Sequence, residues 1–325
     1  MCVQGGVLPK SNKLILSVVV PAYNEEEVLP EFHRRLTGVL EKLSFFSEIL
    51  YVNDGSSDET LKVIKDFHDP RVAVIDLSRN FGKEIALTAG LDHARGEAVV
   101  VIDADLQDPP ELIPELVEKW REGYDVVYAR RSHRDGESFL KKASAKLFYR
   151  IIQGVSRVKI PEDTGDFRLL SRRAVESLKQ LRESHRFMKG LFTWIGFPQI
   201  AVNYRRDPRF AGQTKWNYWQ LWNFALEGFT SFTITPLKIA TYLGLLTSVA
   251  SFSWALFVIY KTLAYGDPVQ GYPSLMVVIL FLGGVQLMSL GVIGEYLGRM
   301  FNETKQRPLY FINSFKPSTL QKNSD

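Results

Sequence analysis

Cysteine is almost missing from this chain: Cys2 is the only one in 325 residues, so no intrachain disulfide can staple it. No C-x-x-C pair and no Cys/His spacing suited to structural zinc occurs. The first apolar run is not followed by a G-x-G-x-x-G string, which removes the phosphate loop that a Rossmann dehydrogenase needs. A large excess of either charge is also lacking: 40 Lys and Arg stand against 36 Asp and Glu, for a net +4. Bulk charge therefore gives no support to nucleic-acid binding, and no nucleic-acid partner is expected. The mild basicity suits an anionic membrane surface or anionic substrates. Nor does the start read as a secretory leader. Lys10 and Lys13 precede the apolar run Leu14–Val20, but Pro21-Ala22-Tyr23-Asn24 follows at once with acids behind it. That run reads as a buried strand, and the N-terminal domain is expected to stay in the cytoplasm.

What the chain does have is a change of character along its length. Up to about Arg206 charges are spread throughout. The short β-branched runs Ser17-Val18-Val19-Val20, Ile49-Leu50-Tyr51-Val52 and Ala98-Val99-Val100-Val101-Ile102 each end in polar loop chemistry. Helical stretches over Glu25–Leu43, Thr60–Phe67 and Glu84–Ala94 lie between them. After a tail at 1–13, this alternation predicts an α/β domain over 14–233, with a mostly parallel sheet covered by helices on both faces. In such sheets ligands bind at the carboxyl ends of the strands, where the acidic strings of this sequence sit.

After Thr235, Ile239–Tyr260 and Pro273–Gly294 each run about 22 residues without a charge. Each is long enough to cross a ~30 Å hydrocarbon core as a helix. Hiding both in a soluble core would need a very large one. The linker Ala264–Tyr272 holds Asp267 and no Lys or Arg, whereas Arg299, Lys305, Arg307 and Lys316 lie beyond the second run. The positive-inside rule then predicts a multi-pass protein of the cytoplasmic membrane. It would have a two-helix transmembrane unit over 234–300, with both termini and a 301–325 tail in the cytoplasm. The last residues, Pro317–Asp325, are polar and expected to be disordered. Two segments are expected to lie on the bilayer surface. In 139–155, Leu140, Ala143, Leu147, Ile151 and Val155 recur at helical spacing beside Lys142, Lys146 and Arg150. Segment 216–232 is rich in Trp and Phe and carries only Glu227 as a charge. Both patterns also fit ordinary core-facing helices.

The chemistry centres on Val100–Asp108, where a buried strand delivers Asp103 and Asp105 into a loop. Hard divalent cations take oxygen ligands, and magnesium often takes one or two carboxylates while phosphates fill other positions. Asp105 and Gln107 can present oxygens to such a metal, and Asp103 can reach a ribose hydroxyl. A lone D-x-D also occurs in ordinary loops, but its place at the end of a strongly apolar strand favours a site. Two more strand ends, Val20–Glu26 and Val52–Thr60, turn sharply in the same way. Ser57 or Asp58 reads as a helix cap. Asp54 has no evident structural task and points to a nucleotide contact.

Taken together, Val20-Pro21-Ala22-Tyr23-Asn24-Glu25, Asn53-Asp54-Gly55-Ser56-Ser57-Asp58, Arg79-Asn80-Phe81-Gly82-Lys83 and Asp103-Ala104-Asp105-Leu106-Gln107-Asp108-Pro109-Pro110-Glu111 resemble family 2 glycosyltransferases of the GT-A fold. Three further strings, Asp163–Leu169, Arg209–Trp216 and Gly294-Glu295-Tyr296-Leu297-Gly298-Arg299, resemble the polyprenyl-phosphate branch. That branch includes dolichol-phosphate mannose synthase and GtrB-type undecaprenyl-phosphate glucosyltransferases. The resemblance covers nearly the whole chain. It implies that Pro21, Tyr23, Glu25 and Asp54 line the nucleotide site, with Asn80, Gly82 and Lys83 near base and ribose. Asp103 would lie by the ribose, and Asp105 and Gln107 would hold Mg²⁺ or Mn²⁺ with the diphosphate. Asp166 would be the candidate base on the acceptor side, and the anomeric carbon would invert. Ala129-Arg130-Arg131-Ser132 departs from the family pattern, which leaves the roles of its arginines open.

The expected acceptor is a polyprenyl phosphate and the expected donor a nucleotide-sugar. Bacterial-looking features favour UDP-glucose and undecaprenyl phosphate; GDP-mannose, UDP-N-acetylglucosamine and modified-arabinose donors stay open. A phosphate monoester is largely dianionic at neutral pH, its second pKa being near ~6, so it needs less help from a base than a hydroxyl does. Arg130, Arg131, Arg205 and Lys215 are the candidate holders of that phosphate, each equally readable as a solvated surface charge. The resemblance is compatible with a homo-oligomer. A processive polysaccharide synthase would need more membrane helices and a Gln-x-x-Arg-Trp string, which is lacking. A catalytically silent membrane scaffold would not need Asp103, Asp105, Gln107 and Asp166 together.

Overall fold

The β-branched runs do form strands, and their alternation sorts the core into two halves. In the computed structural model, residues 11–131, 164–184, 186–204, 235–265 and 271–320 are described. The interfacial segments 139–155 and 216–232, and the candidates Arg205 and Lys215, lie outside them. The first half runs β1 (Ser11–Ala22), α1 (Leu29–Glu41), β2 (Phe45–Asn53), α2 (Thr60–Lys65), β3 (Val72–Leu77), α3 (Lys83–His93) and β4 (Ala98–Val101). After a 3₁₀ turn at Pro110–Leu112 come α4 (Ile113–Arg121), β5 (Val126–Arg131), β6 (Thr164–Ser171), α5 (Arg172–Gln180), α6 (Met188–Trp194) and β7 (Gln199–Tyr204). Two long helices, α7 (Thr235–Tyr265) and α8 (Tyr272–Thr304), precede a last strand, β8 (Ile312–Lys316).

The eight strands form one sheet in the order β7-β5-β6-β4-β1-β2-β3-β8. β4, β1, β2 and β3 are mutually parallel, while β6 runs antiparallel between β4 and β5, and β8 runs antiparallel to β3. Side chains on successive strand residues point to opposite faces. Leu16, Val18 and Val20 of β1 accordingly join Phe32 and Leu36 of α1 and Leu116 of α4. Val19 joins Leu87 of α3, Val175 of α5 and Leu191 of α6 on the other face. This two-faced cover is the mostly parallel α/β architecture expected. α1 starts later than the expected Glu25 because Asn24 takes a left-handed φ of 53° and the backbone N–H of Glu25 is held by Thr60 Oγ1 at 2.8 Å.

The C-terminal segment departs from expectation. Pro317–Leu320, expected to be disordered, is packed on the domain: Ser318 is buried, and the Thr319 N–H donates to the Pro70 carbonyl at 3.0 Å. The physical reason is an open sheet edge at β3, which β8 pairs and so covers. Further bonds run along this strap. Ser184 N donates to Glu303 Oε1 at 2.8 Å, Tyr310 Oη to Asp92 Oδ2 at 2.8 Å, and Ser78 N to the Phe311 carbonyl at 2.9 Å. Large apolar side chains of α7 and α8 are exposed, among them Leu246, Phe252, Trp254, Leu287 and Ile293. Among the described residues, Val277–Thr304 is long and apolar enough to cross a membrane, by length and composition.

Where strap and sheet meet, the carboxylate of Glu48 is buried with 1% of its side chain exposed. It accepts from Ser17 Oγ at 2.6 Å, Arg95 Nε at 3.0 Å and Ser318 Oγ at 3.3 Å. Removing one partner of such a buried pair strands the other charge. Glu48→Ala should therefore cost roughly 3–5 kcal/mol of stability. Chemical denaturation of the detergent-solubilised protein would read this, and a loss below ~1 kcal/mol would mean that water reaches the network freely.

Candidate active site

The acids expected to do chemistry meet at the carboxyl ends of the parallel strands. Asp103 follows β4, Asp166 stands at the start of the antiparallel β6 beside it, and Lys83 opens α3. Lys83 Nζ donates to Asp103 Oδ2 at 2.7 Å and to Asp166 Oδ2 at 2.5 Å. The second oxygens, Asp103 Oδ1 and Asp166 Oδ1, are buried without a hydrogen-bond partner. Burial pushes Asp103 up, Lys83 pulls it down and Asp166 raises it again, so its carboxyl sits above its ordinary value. Burial also pushes Asp166 up, but Lys83, Lys189 and Arg168 outweigh it and hold the carboxyl well below its ordinary range. Burial works against the Lys83 ammonium, yet the two acids raise it well above its usual value. The site thus holds Lys83 charged and Asp166 ionised. Arg168 does not pair with the Asp166 carboxylate: its Nη2 donates to the Gly165 carbonyl at 2.8 Å, and its guanidinium lies 3.9 Å from the Phe192 ring centre.

The neighbouring side of the cleft is built from three loops laced together. Asn24 N donates to Ser56 Oγ at 3.0 Å, and Ser57 N donates back to Asn24 Oδ1 at 2.9 Å. The N-cap of α2 is Glu59 rather than Ser57 or Asp58, and Asp58 Oδ1 accepts from Thr60 N at 3.1 Å just before the helix. Asp54 proves to have a structural task that local sequence hid: Oδ1 accepts from Phe81 N at 2.7 Å and Oδ2 from Gly82 N at 2.9 Å. Burial nonetheless pushes Asp54 upward. Gly55 makes this docking sterically feasible. Its φ is +62°, and a Cβ there would lie 2.3 Å from the Arg79 carbonyl carbon. Asn80 Oδ1 also accepts from Gly82 N, at 3.0 Å. Pro21, next to last in β1, lies opposite Val52, with Tyr23 exposed just beyond the strand. Pro21, Tyr23, Glu25, Asp54, Asn80 and Gly82 thus fall on the lip formed by these loops.

Asp105 Oδ1 accepts from Gln107 N at 3.1 Å, across a turn in which Leu106 takes φ +58°. Strain of this kind concentrates at functional loops. Among the described residues no group of three or more His, Cys, Asp or Glu side chains gathers as a metal cage. The arrangement suits a cation that takes few protein carboxylates and fills its other positions with phosphate oxygens. The two buried, unpartnered carboxylate oxygens are further acceptors for a hydroxyl or a cation.

The two arginines at the end of β5 part company. Arg131 Nε reaches Tyr204 Oη at 3.4 Å, and Tyr204 in turn donates to the buried Asp108. A Cβ on Gly165 would touch both Arg131 Nη2 and Asp108 Oδ2. Arg131 therefore belongs to the acid cluster. Arg130 is exposed and donates to Asn203 Oδ1 at 2.8 Å, because neighbouring strand residues face opposite ways. Sequence reasoning missed the Arg131–Tyr204–Asp108 triad and also Glu84. The latter, in the first turn of α3, accepts from Met188 N at 3.0 Å and ties α6 to the site. Its place directly after Lys83 was the available signal.

Comparison with known proteins gives the same picture along the chain. The family described as Glycosyl transferase family 2 matches residues 17–179, and the one described as GtrB C-terminal hairpin matches residues 235–300. An uncharacterized glycosyltransferase of Synechocystis sp. is 58% identical over 300 residues, covering 92% of this chain and 94% of that protein. A bactoprenol glucosyl transferase of Shigella phage SfV is 50% identical over 303 residues, covering 93% and 99%. Among solved structures, glucosyl-3-phosphoglycerate synthase from Mycobacterium tuberculosis, in complex with Mn²⁺, UDP-glucose and phosphoglyceric acid, aligns at 19% identity with a TM-score of 0.46. That alignment covers 66% of this chain and 76% of the synthase.

Glu84 generates a pH prediction. Burial, reinforced by Asp166, pushes its carboxyl from the ordinary 4.5 up to about 7. A raised carboxyl favours the folded state most when protonated, so this stability is present below pH 4.5 and lost as pH rises through about 7. Glu84→Gln keeps an acceptor for Met188 and removes the titration. The melting temperature of the wild type should fall relative to this variant across that window. Parallel curves would show that Glu84 does not titrate there.

Proposed function

This chain belongs to glycosyl transferase family 2 and carries a GtrB C-terminal hairpin, and from that premise we propose that it moves a hexose from a nucleotide-sugar to a polyprenyl phosphate at the cytoplasmic face of a membrane. The observation that carries the proposal is the convergence of Asp103, Lys83 and Asp166 at the strand ends, beside the laced donor loops. The names of the phage relatives speak of glucosyl transfer and bactoprenol, which favours UDP-glucose as donor and undecaprenyl phosphate as acceptor here. GDP-mannose is the alternative donor.

In this reading the loops of Pro21, Tyr23, Glu25, Asp54, Asn80 and Gly82 seat the nucleotide, with Asp103 at the ribose. Asp105 and Gln107 would hold Mg²⁺ or Mn²⁺, which when bound offsets charge on the nucleoside diphosphate. An oxygen of the acceptor phosphate attacks the anomeric carbon. The bond from that carbon to the diphosphate breaks, its electron pair leaves with the nucleoside diphosphate, and the carbon inverts. The acceptor arrives as a dianion, so the residues mainly position and stabilise charge. Asp166, kept ionised by Lys83, faces the positive charge that develops on the sugar; a carboxyl held this low is too weak a base to take a proton from a phosphate, so its part is electrostatic. Arg131 is the best-placed described arginine for a phosphate. Arg205 and Lys215 remain candidates on sequence alone.

The long helices α7 and α8 are proposed as two membrane crossings. At ~1.5 Å per residue each exceeds a ~30 Å core. The chain leaves the sheet after β7 and rejoins it at β8, which supports an even number of crossings with both ends on one side. A long prenyl chain stays in the bilayer, so this anchoring brings the site to its acceptor.

The test is a transfer assay: detergent-purified protein, undecaprenyl phosphate, Mg²⁺ or Mn²⁺, and each labelled nucleotide-sugar in turn. Label should enter the organic phase with one donor, UDP-glucose first. Protein that binds nucleotide yet transfers nothing from any donor would overturn the polyprenyl-phosphate reading. Asp105→Ala should abolish metal-dependent turnover. Asp166→Asn should lower kcat by about 10²-fold or more while nucleotide affinity changes little. Rates near wild type in either variant would remove the corresponding role.

A further inference from the structure

Asp76 is a buried carboxylate that the proposed chemistry does not use. It lies near the end of β3, with 4% of its surface exposed, and both of its oxygens are engaged. Oδ1 accepts from Asn53 Nδ2 at 2.7 Å, and Oδ2 accepts from Asn313 Nδ2 at 2.8 Å. Asn53 ends β2 and faces Asp76 in register. Its own Oδ1 accepts from Ser56 N at 3.3 Å, and Ser56 Oγ accepts from Asn24 N at 3.0 Å. A continuous line of hydrogen bonds therefore runs from the strap beyond α8, through Asp76, into the two turns that form the lip of the donor site. One residue past Asn53, Asp54 holds the third loop by Phe81 N and Gly82 N.

Polarity fixes the direction of this line. An amide such as Asn53 offers one acceptor and one donor face. With Asp76 taking its donor face, the carbonyl oxygen must turn towards Ser56. Asp76 can do this for two amides at once because an ionised carboxylate only accepts. The bond to Asn313 holds the second oxygen, so the carboxylate cannot rotate away from Asn53.

We propose that Asp76 is a positioning residue for the nucleotide-sugar site, locked from behind by Asn313 of the returning C-terminal segment. This rests on the functional reading above for the identity of the site, but not for the line of bonds. The segment that follows the hairpin is then part of the donor site's support, and nucleotide affinity depends on it through the Asn313–Asp76 bond.

The experiment uses the full-length protein in detergent, with UDP binding measured calorimetrically and donor and acceptor KM measured by transfer. Asp76→Asn gives up one of two acceptors and turns an amide donor towards another donor. It should raise the UDP Kd and donor KM by about tenfold, the scale of a lost hydrogen bond to a charged group. Acceptor KM should not move, and kcat at saturating donor should stay within about twofold of wild type. Asn313→Leu, on the exposed outer strand and so tolerated by the fold, should give a smaller change in the same direction. Asn313→Asp alone sets two carboxylates face to face and should be worse than Asn313→Leu. Combining it with Asp76→Asn reverses the polarity of the contact and should recover most of the donor affinity. A purely structural role would lower the melting temperature and the active fraction while leaving donor KM unchanged. That result, or a double variant no better than Asp76→Asn, overturns the proposal. Wild-type protein that binds no UDP or GDP under Mg²⁺ or Mn²⁺ would instead defeat the functional reading, and this inference with it.

Discussion

A single ammonium group, that of Lys83, sits between two carboxylates that arrive from different strands. Asp103 comes off a parallel strand and Asp166 off the antiparallel strand beside it, and neither acid is close in sequence to the lysine. The ammonium attracts both acids, and the acids repel each other. Without the cation, burial would drive at least one acid to take up a proton. With it, Asp166 stays ionised, while burial and the Asp166 charge keep Asp103 above its ordinary value against the pull of Lys83. The ion triad therefore decides the charge state of the site. It also fixes the approach of α3 to β4 and β6, since Lys83 is the first residue of that helix.

Around this triad the protein relies on backbone conformations that most residues avoid. Asn24, Gly55, Gly82 and Leu106 all take positive φ, and all lie in the loops that follow β1, β2, β3 and β4. These turns hold each other rather than their own strands: Asn24 with Ser56 and Ser57, Gly55 against Arg79 and Asn80, Gly82 with Asp54. A rigid lip made of loops is the result, and its rigidity comes from side chains accepting backbone N–H groups across loops. Preorganisation of this kind lets a site bind a flexible diphosphate without first ordering itself.

Local pattern carried the reading of the sequence a long way. The apolar runs at 17–20, 49–52 and 98–101 lie on three central strands, and α3 begins within one residue of its expected start. The acids at strand ends were legible for the same reason. What stayed hidden depends on distant partners. The Lys83–Asp166 pair spans 83 residues and the Tyr204–Asp108 bond spans 96, and no window of sequence contains both members. Asp54 looked free because its partners are backbone N–H groups of another loop. Arg130 and Arg131 could not be told apart without knowing that they sit on a strand, where adjacent residues diverge. The polar composition of Pro317–Asp325 suggested disorder because the partners that hold Ser318 and Thr319, Glu48 and the Pro70 carbonyl, lie far away in sequence.

That edge strand also sets an order of events during synthesis. β3 is complete once residue 77 has been made, but the partner of Asp76 at Asn313 lies 237 residues further on, beyond both long helices. While the chain is being made, the outer edge of the sheet has no β8 to pair with, and Asp76 has only Asn53. The helices must emerge from the ribosome, and find their surroundings, before the last strand exists to close the sheet. A nascent chain stalled before α8 would hold Lys83, Asp103 and Asp166 and still lack the final bond behind the loops that Asp76 supports. Completion of the sheet is thus timed to follow completion of both long helices.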